Sequence, residues 1–234
     1  MIPGDARFCR PEAIADLERH LPTLDQTDSL VAGAVAIVRH EYPDVCELEV
    51  REQLAEWAVS IRERTDSQDP RSLLSHAHAV LFDELGFGRG LEHYLDPAAS
   101  YLSAVIQRRR GLPILISLVY KSVLEGIGLT VRGIGAPGHF LVEVDCGGRA
   151  MLVDPFNAGT PLSSDEAFAR SEEALGRSIE RQDAWLRPVT NHMWLFRILN
   201  NLEICFSRCK RPEDQVAMRE LKGLLYRGPG SDPR

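Results

Sequence analysis

The sequence predicts an α+β fold: a helical N-terminal layer, a core in which one apolar helix packs on a small antiparallel sheet, and C-terminal helices on the other side. Three observations carry this. Apolar residues recur at helical spacing through most of the first 127 residues. Between Thr130 and Val153 the pattern changes to short alternating or β-branched runs. The pair Gly147-Gly148 then separates two of those runs as a hairpin turn does.

Pro11 to Leu21 reads as a short helix opened by a proline in its first turn. Asp28 and Ser29 are placed to cap a second, with Val31, Ala34, Val35, Ile37 and Val38 running up to Tyr42-Pro43. A third runs from Glu47 to Arg64 with Leu54, Trp57, Ala58 and Ile61 inward. Pro70 opens a fourth, with Leu73, Leu74, Ala77, Leu81 and Leu85 inward, and Gly86 to Gly90 ends it. Asp96-Pro97 starts a helix through Tyr101, Leu102, Val105 and Ile106. Gly111 breaks it so that Pro113 can begin the next, which reaches Ile127-Gly128. The strands are Thr130–Ile134, His139–Asp145 and Arg149–Val153. Ser163 and Glu166 form a capping box for a helix through Ala174, Thr190 to Cys209 is a strongly apolar helix, and Pro212 opens a last one to Tyr226. The expected division is a helical layer 1–95, a core 96–160, C-terminal helices 161–227 and a loose tail 228–234.

Of 234 residues, 44% are hydrophobic and 26% charged, which excludes a disordered or fibrous chain. Basic residues number 27 against 34 acidic, and the excess lies in residues 1–95, with nine basic against eighteen acidic. The basic cluster Arg108-Arg109-Arg110 is too small for a nucleic-acid face. Leu112–Tyr120, the longest apolar run, falls well short of the ~20 residues that cross a bilayer, so it predicts a buried helix and no membrane partner. Five cysteines, an odd set with no secretory signal ahead of them, point away from a disulfide framework and toward a reducing cytoplasm. Cys205 and Cys209 share a helix face but lack third and fourth ligands for zinc, so no metal is expected, and no motif calls for a cofactor.

The hairpin supplies the sharpest chemical hint. With Cys146-Gly147 as a two-residue turn, His139 lies directly opposite Asp154; with Gly147-Gly148 the two are diagonal on the same face. Directly opposed Cβ atoms are about 4.5–5.5 Å apart, so either register makes an imidazole and a carboxylate neighbours. That is the orienter-and-base half of a triad. A three-residue turn would put them on opposite faces. The plainer reading is that Asp154 caps the loop Pro155-Phe156-Asn157 and His139 ends a strand. No cysteine stands at a helix start where dipole and base would activate it. Ser117, one turn into the central helix, reads as a buried serine bonded to a carbonyl. His76 and His78 read as surface residues on different sides of their helix.

The run Arg109-Arg110-Gly111-Leu112-Pro113-Ile114, then Ser117–Tyr120, Gly126–Leu129, Gly133-Ile134, Pro137-Gly138-His139-Phe140-Leu141-Val142 and Val153–Gly159, resembles the SirB1 family. Glu41-Tyr42-Pro43, Leu81–Phe87, Tyr94–Pro97 and Asn200-Asn201-Leu202 fit its flanking segments, so the resemblance covers about residues 30–205. It implies a transglutaminase-like (papain-like) core. In that wider superfamily a cysteine at the start of the central helix is the nucleophile, activated by histidine and aspartate on two following strands. His139 and Asp154 match the latter two. The cysteine position falls at Pro113 or Ile114, and members of the SirB1 family commonly lack that residue. Leu115, Glu143 and the segment Asp96–Ser100 depart from the family by replacing polar groups near the expected cleft.

The resemblance therefore implies a pseudoenzyme: a binding module for a protein, peptide or small ligand, with Arg110, Gly111, Pro113, Ile114, Ser117, Gly138, Phe140 and Phe156 around His139. The alternative is an acyl-transfer or hydrolytic enzyme using the His139–Asp154 dyad with water or Ser117, and a third reading is a scaffold without ligand. The amide groups at the start of the Pro113 helix, preceded by Arg108–Arg110, predict a pocket for a carboxylate or acidic peptide. Against it stands the possibility that these arginines pair with the acidic helices.

Overall fold

The computed structural model describes residues 8–89 and 96–226; Tyr94, Leu95 and the tail 228–234 lie outside them. The chain groups into two compact units. Unit one draws on residues 1–50, 90–108 and 190–234, and unit two on 51–89 and 109–189. This grouping cuts across the contiguous layers expected from sequence, and particular side chains show why. Trp57 of the third helix stacks edge-on against Phe87 at 5.4 Å, and Ala58 fills the space beside Gly126, so the middle of the first 95 residues packs with the core.

Unit one is helical: α1 (Pro11–His20), α2 (Thr27–Val38), α5 (Leu102–Arg108), α8 (Asn191–Arg208) and α9 (Pro212–Leu225). α2 is apolar all round and buried from Ser29 to Val38, so it forms the centre of the unit. Its N-cap is Gln26, ahead of the expected Asp28 or Ser29, and makes no side-chain cap; Ser29 instead bonds Thr23 through their hydroxyls at 2.8 Å. The segment from Asp96 is split, a 3-10 turn Pro97–Ser100 leading to an extended Tyr101 before α5. The Tyr101 hydroxyl donates to Glu41 at 2.5 Å, and Glu41 also pairs with Arg211 at the start of α9.

Unit two contains α3 (Glu47–Arg62) beyond Val50, then α4 (Pro70–His78), continued by a π turn Ala79–Glu84. Two short segments follow, β1 (Gly88–Arg89) and β2 (Arg110–Gly111), paired in parallel. α6 (Pro113–Gly126) is buried at every residue from Pro113 to Lys121, as its apolar run requires. The sheet is β3 (Val131–Ile134), β4 (Leu141–Asp145), β5 (Ala150–Asp154) and β6 (Thr160–Leu162), all antiparallel in that order. β6 adds a fourth strand to the three expected.

Alternation places Val131, Val142, Val144 and Val153 on one face, all fully buried on the side of α6. The other face carries Ile134, Leu141, Leu152 and Leu162 and is covered by α7 (Ser164–Leu175) through Ala167. α7 opens with the expected Ser163/Glu166 capping box and ends on Gly176 in the left-handed conformation.

Candidate functional site

The β4–β5 turn decides the register. Gly147 and Gly148 have φ of 73° and 84°, as a two-residue primed turn requires, and Cys146 N donates to Arg149 O at 2.9 Å. Asp145 consequently pairs with Ala150 and Val142 with Val153, the second of the two registers considered, which makes His139 and Asp154 diagonal neighbours. Nε2 of His139 lies 3.1 Å from Oδ1 of Asp154. The imidazole is 7% exposed and the carboxylate 0%.

Asp154 meets His139 and also caps the loop that follows it. Its Oδ1 accepts from the Asn157 amide at 3.3 Å, capping the 3-10 turn Pro155–Asn157, while Oδ2 accepts from the Asn157 side chain. Arg170 of α7 brings Nε to 3.7 Å from Oδ2. Burial alone would push the Asp154 pKa up. The hydrogen bond and charge of His139, with the two Asn157 donors, outweigh burial and hold it below the usual aspartate value.

The residues around the pair are mostly sealed. The Phe156 ring meets His139 edge-on at 5.9 Å, and Phe140 is buried beside it in sequence. Ser117 is 0% exposed and its hydroxyl donates to the Phe140 carbonyl at 3.4 Å, so it is a packed serine with no face for a substrate. Gly138 is exposed, with φ of 69°, and lies under Leu175 and Ala174 of α7. Pro113 and Ile114 are buried at the start of α6, where the Leu115 and Ile116 amides donate to Leu112 O at 3.0 and 3.1 Å.

The three arginines are engaged one by one. Arg108 pairs with Asp96 at 2.7 Å, Arg109 lies over the Trp57 and Phe87 rings at 4.4 and 5.2 Å, and Arg110 donates to the Gly86 carbonyl and to Arg109 O. Of the departures from the family pattern, Leu115 and Ser100 are buried and Glu143 pairs with Arg132 at 2.9 Å. Gly111 is buried in β2, paired with Arg89. Arg110 and Gly111 thus build the β1–β2 connection, whereas His139, Asp154 and Phe156 are brought together.

Burial pushes the Cys9 and Cys205 thiols up to about 12 and raises that of Cys146; Cys46 and Cys209 are exposed. Among the described residues no group of three or more metal-ligating side chains forms.

Two features went unread in the sequence. Arg170 gave no signal, because its approach to Asp154 depends on how α7 crosses the sheet. His78, expected at the surface, is instead part-buried with Nε2 2.7 Å from the Tyr120 hydroxyl. Phe82 stacks on Tyr120 at 5.9 Å, and the imidazole abuts Gly159. Burial lowers the His78 pKa, which keeps the ring neutral. The spacing His78–Phe82, one helical turn on the side of α6, was the available clue.

An apolar helix against a small antiparallel sheet, with histidine and aspartate meeting at one end of neighbouring strands, defines a class. Residues 48–200 match the family described as the transglutaminase-like superfamily, and the chain belongs to it. It is 31% identical to a UPF0162 protein of Xylella fastidiosa (strain 9a5c) over 222 residues, 86% of this chain and 78% of that one. Against the UPF0162 protein of strain Temecula1 the identity is 31% over 236 residues, 92% of this chain and 83% of the relative. F-box only protein 21 of Homo sapiens is 23% identical over 151 residues, 64% of this chain and 23% of that protein. No solved structure matches the chain with comparable significance. Among the described residues no helix is long and apolar enough to cross a membrane.

Proposed function

We propose that the chain is a SirB1-like member of the superfamily that works in the cytoplasm as a binding module for a protein or peptide segment, without acyl transfer. The observation that supports this most directly is the start of α6. By the family resemblance the nucleophile's position falls at Pro113 or Ile114, neither of which has an attacking group, and Ser117, the next hydroxyl along α6, is closed against the Phe140 carbonyl. A covalent mechanism without its nucleophile loses the intermediate that a His–Asp pair would serve. The match to F-box only protein 21 covers only 23% of that longer protein, in keeping with a domain that operates as one part among others.

The surface offered to a partner is the Gly138 turn beside His139, together with Leu175, which is 37% exposed. Its charge is not part of the reading, since Arg108, Arg109 and Arg110 are engaged elsewhere. The test compares co-purifying proteins from wild type, His139→Ala and the surface variant Leu175→Glu, beside an assay for amine incorporation into a glutamine substrate. A partner retained by wild type and lost by both variants, with no amine incorporation, is the expected result. Turnover of the acyl donor that disappears in His139→Ala would overturn it.

A further inference from the structure

A concavity in unit two, of about 440 Å³, opens at the turn end of the β4–β5 hairpin. That volume is within the range of small-molecule sites, ~300–1,000 Å³. Arg149 reaches it from the hairpin and Arg71 from the first turn of α4. Neither guanidinium makes an ion pair or hydrogen bond among the described residues. Elsewhere in the chain Arg132, Arg181, Arg211 and Arg219 each lie within 3 Å of a carboxylate oxygen, at 2.9, 2.7, 2.6 and 2.6 Å. Two such groups, far apart in sequence, line one cavity, and a guanidinium is suited to holding a carboxylate.

The surroundings narrow the ligand. Met151, Leu152 and Leu162 give the cavity an apolar wall, and the Ser164 hydroxyl stands at its rim. Asp69 and Asp145 lie close enough to act on Cys146, but Asp69 Oδ2 accepts from Ser72 N at 2.9 Å and Asp145 Oδ1 from Gly148 N at 2.7 Å. Two guanidinium groups against two carboxylates leave the site near neutral, which suits a monoanion better than a phosphate dianion.

We propose that this cavity binds a small organic carboxylate, its anionic group held between Arg71 and Arg149 and its apolar body laid on Leu152 and Leu162. The site is independent of the His139–Asp154 pair and of the partner proposed for it.

Cys146 lines the cavity and reports its occupancy. The thiol is alkylated with a maleimide in the intact protein and quantified by peptide mass spectrometry, with exposed Cys46 and Cys209 as internal controls. Hexanoate is the ligand, hexanamide its neutral isostere and inorganic phosphate the competing anion. A site of ~1 mM affinity slows Cys146 labelling about sixfold at 5 mM hexanoate, because the rate falls as 1 + [L]/Kd. Labelling of Cys46 and Cys209 stays constant. The protection is lost in Arg71→Ala and Arg149→Ala, both exposed positions whose replacement leaves the fold intact. Hexanoate also raises Tm in wild type and not in either variant. Equal protection by hexanamide, protection by phosphate alone, or no effect of hexanoate on labelling and Tm would each overturn the proposal.

Discussion

Replacing Gly159 by alanine tests how the loop carrying Asp154 is seated. Gly159 has φ of 70°, and a Cβ there would lie 2.6 Å from both Cε1 and Nε2 of His78 and 2.7 Å from Cε2 of Phe82. Neither ring yields cheaply. His78 is tied to the buried Tyr120 hydroxyl at 2.7 Å, and Phe82 stacks on the Tyr120 ring. The left-handed backbone costs alanine about 1 kcal/mol, the low end of the steric penalty for a residue with a Cβ. Overpacking adds about 1–3 kcal/mol, for a total near 2–4 kcal/mol.

Gly176 provides the control, with φ of 65° and nothing within 4 Å of its added Cβ. Gly176→Ala should therefore cost only the backbone part, about 1 kcal/mol. Urea denaturation with a common m value measures both variants. In a His78→Ala background the cost of Gly159→Ala should fall, since one of its two obstacles is gone, while the loss of the Tyr120 partner is measured in the single variant. Equal costs for Gly159→Ala and Gly176→Ala, or a Gly159→Ala cost unchanged without His78, would refute the close approach of this loop to α4.

Three further outcomes are expected. The lowered Asp154 pKa means that the native state binds this proton less readily than the unfolded chain, so the associated stability is full above the ordinary aspartate range near ~4 and is lost as pH falls through the native value. Thermal melts should accordingly show a smaller loss below pH ~4 in Asp154→Asn than in wild type; parallel curves would contradict the linkage. Iodoacetamide at neutral pH should label Cys46 and Cys209 readily and leave Cys9 and Cys205 unmodified, and His139→Ala should change none of these rates; a hyper-reactive thiol that depends on His139 would mean the nucleophile had been misplaced. Gly138→Val should destabilise the protein by about 1–2 kcal/mol, chiefly through its backbone, because the Leu175 side chain that it meets at 2.8 Å is part-exposed and can swing aside. A denaturation midpoint identical to wild type would count against this account.

How much could be read in advance depended on whether the signal was local. α6 was legible because nine consecutive residues, Pro113 to Lys121, are buried, and a fully buried helix needs an apolar run. The capping box and the Gly147-Gly148 turn were legible because their chemistry lies within four residues. The His139–Asp154 contact followed from that turn up to a choice of register. β6 was missed because Thr160-Pro161-Leu162 is three residues long and contains proline, which suits only an edge. The π turn at Ala79–Glu84 continues the helical pattern of α4 with no compositional mark. Arg170, His78 and the grouping into two units depend on how distant segments meet, and no window of sequence contains that information.

The His139–Asp154 pair has a physical reason in Asp154 itself. A carboxylate at 0% exposure is costly unless its charge is met. Here Arg170 supplies opposite charge, the His139 ring nitrogen lies 3.1 Å from Oδ1, Asn157 supplies two donors, and the Asp154 carbonyl accepts the Gly159 amide at 3.0 Å. One side chain thereby ties the end of β5 to the Gly138 turn, to α7 and to the loop over α6. Removing His139 would leave a buried carboxylate short of a partner, at about 3 kcal/mol. None of these contacts involves the first residue of α6. Folding alone therefore accounts for the pair, whose presence does not by itself indicate acyl transfer.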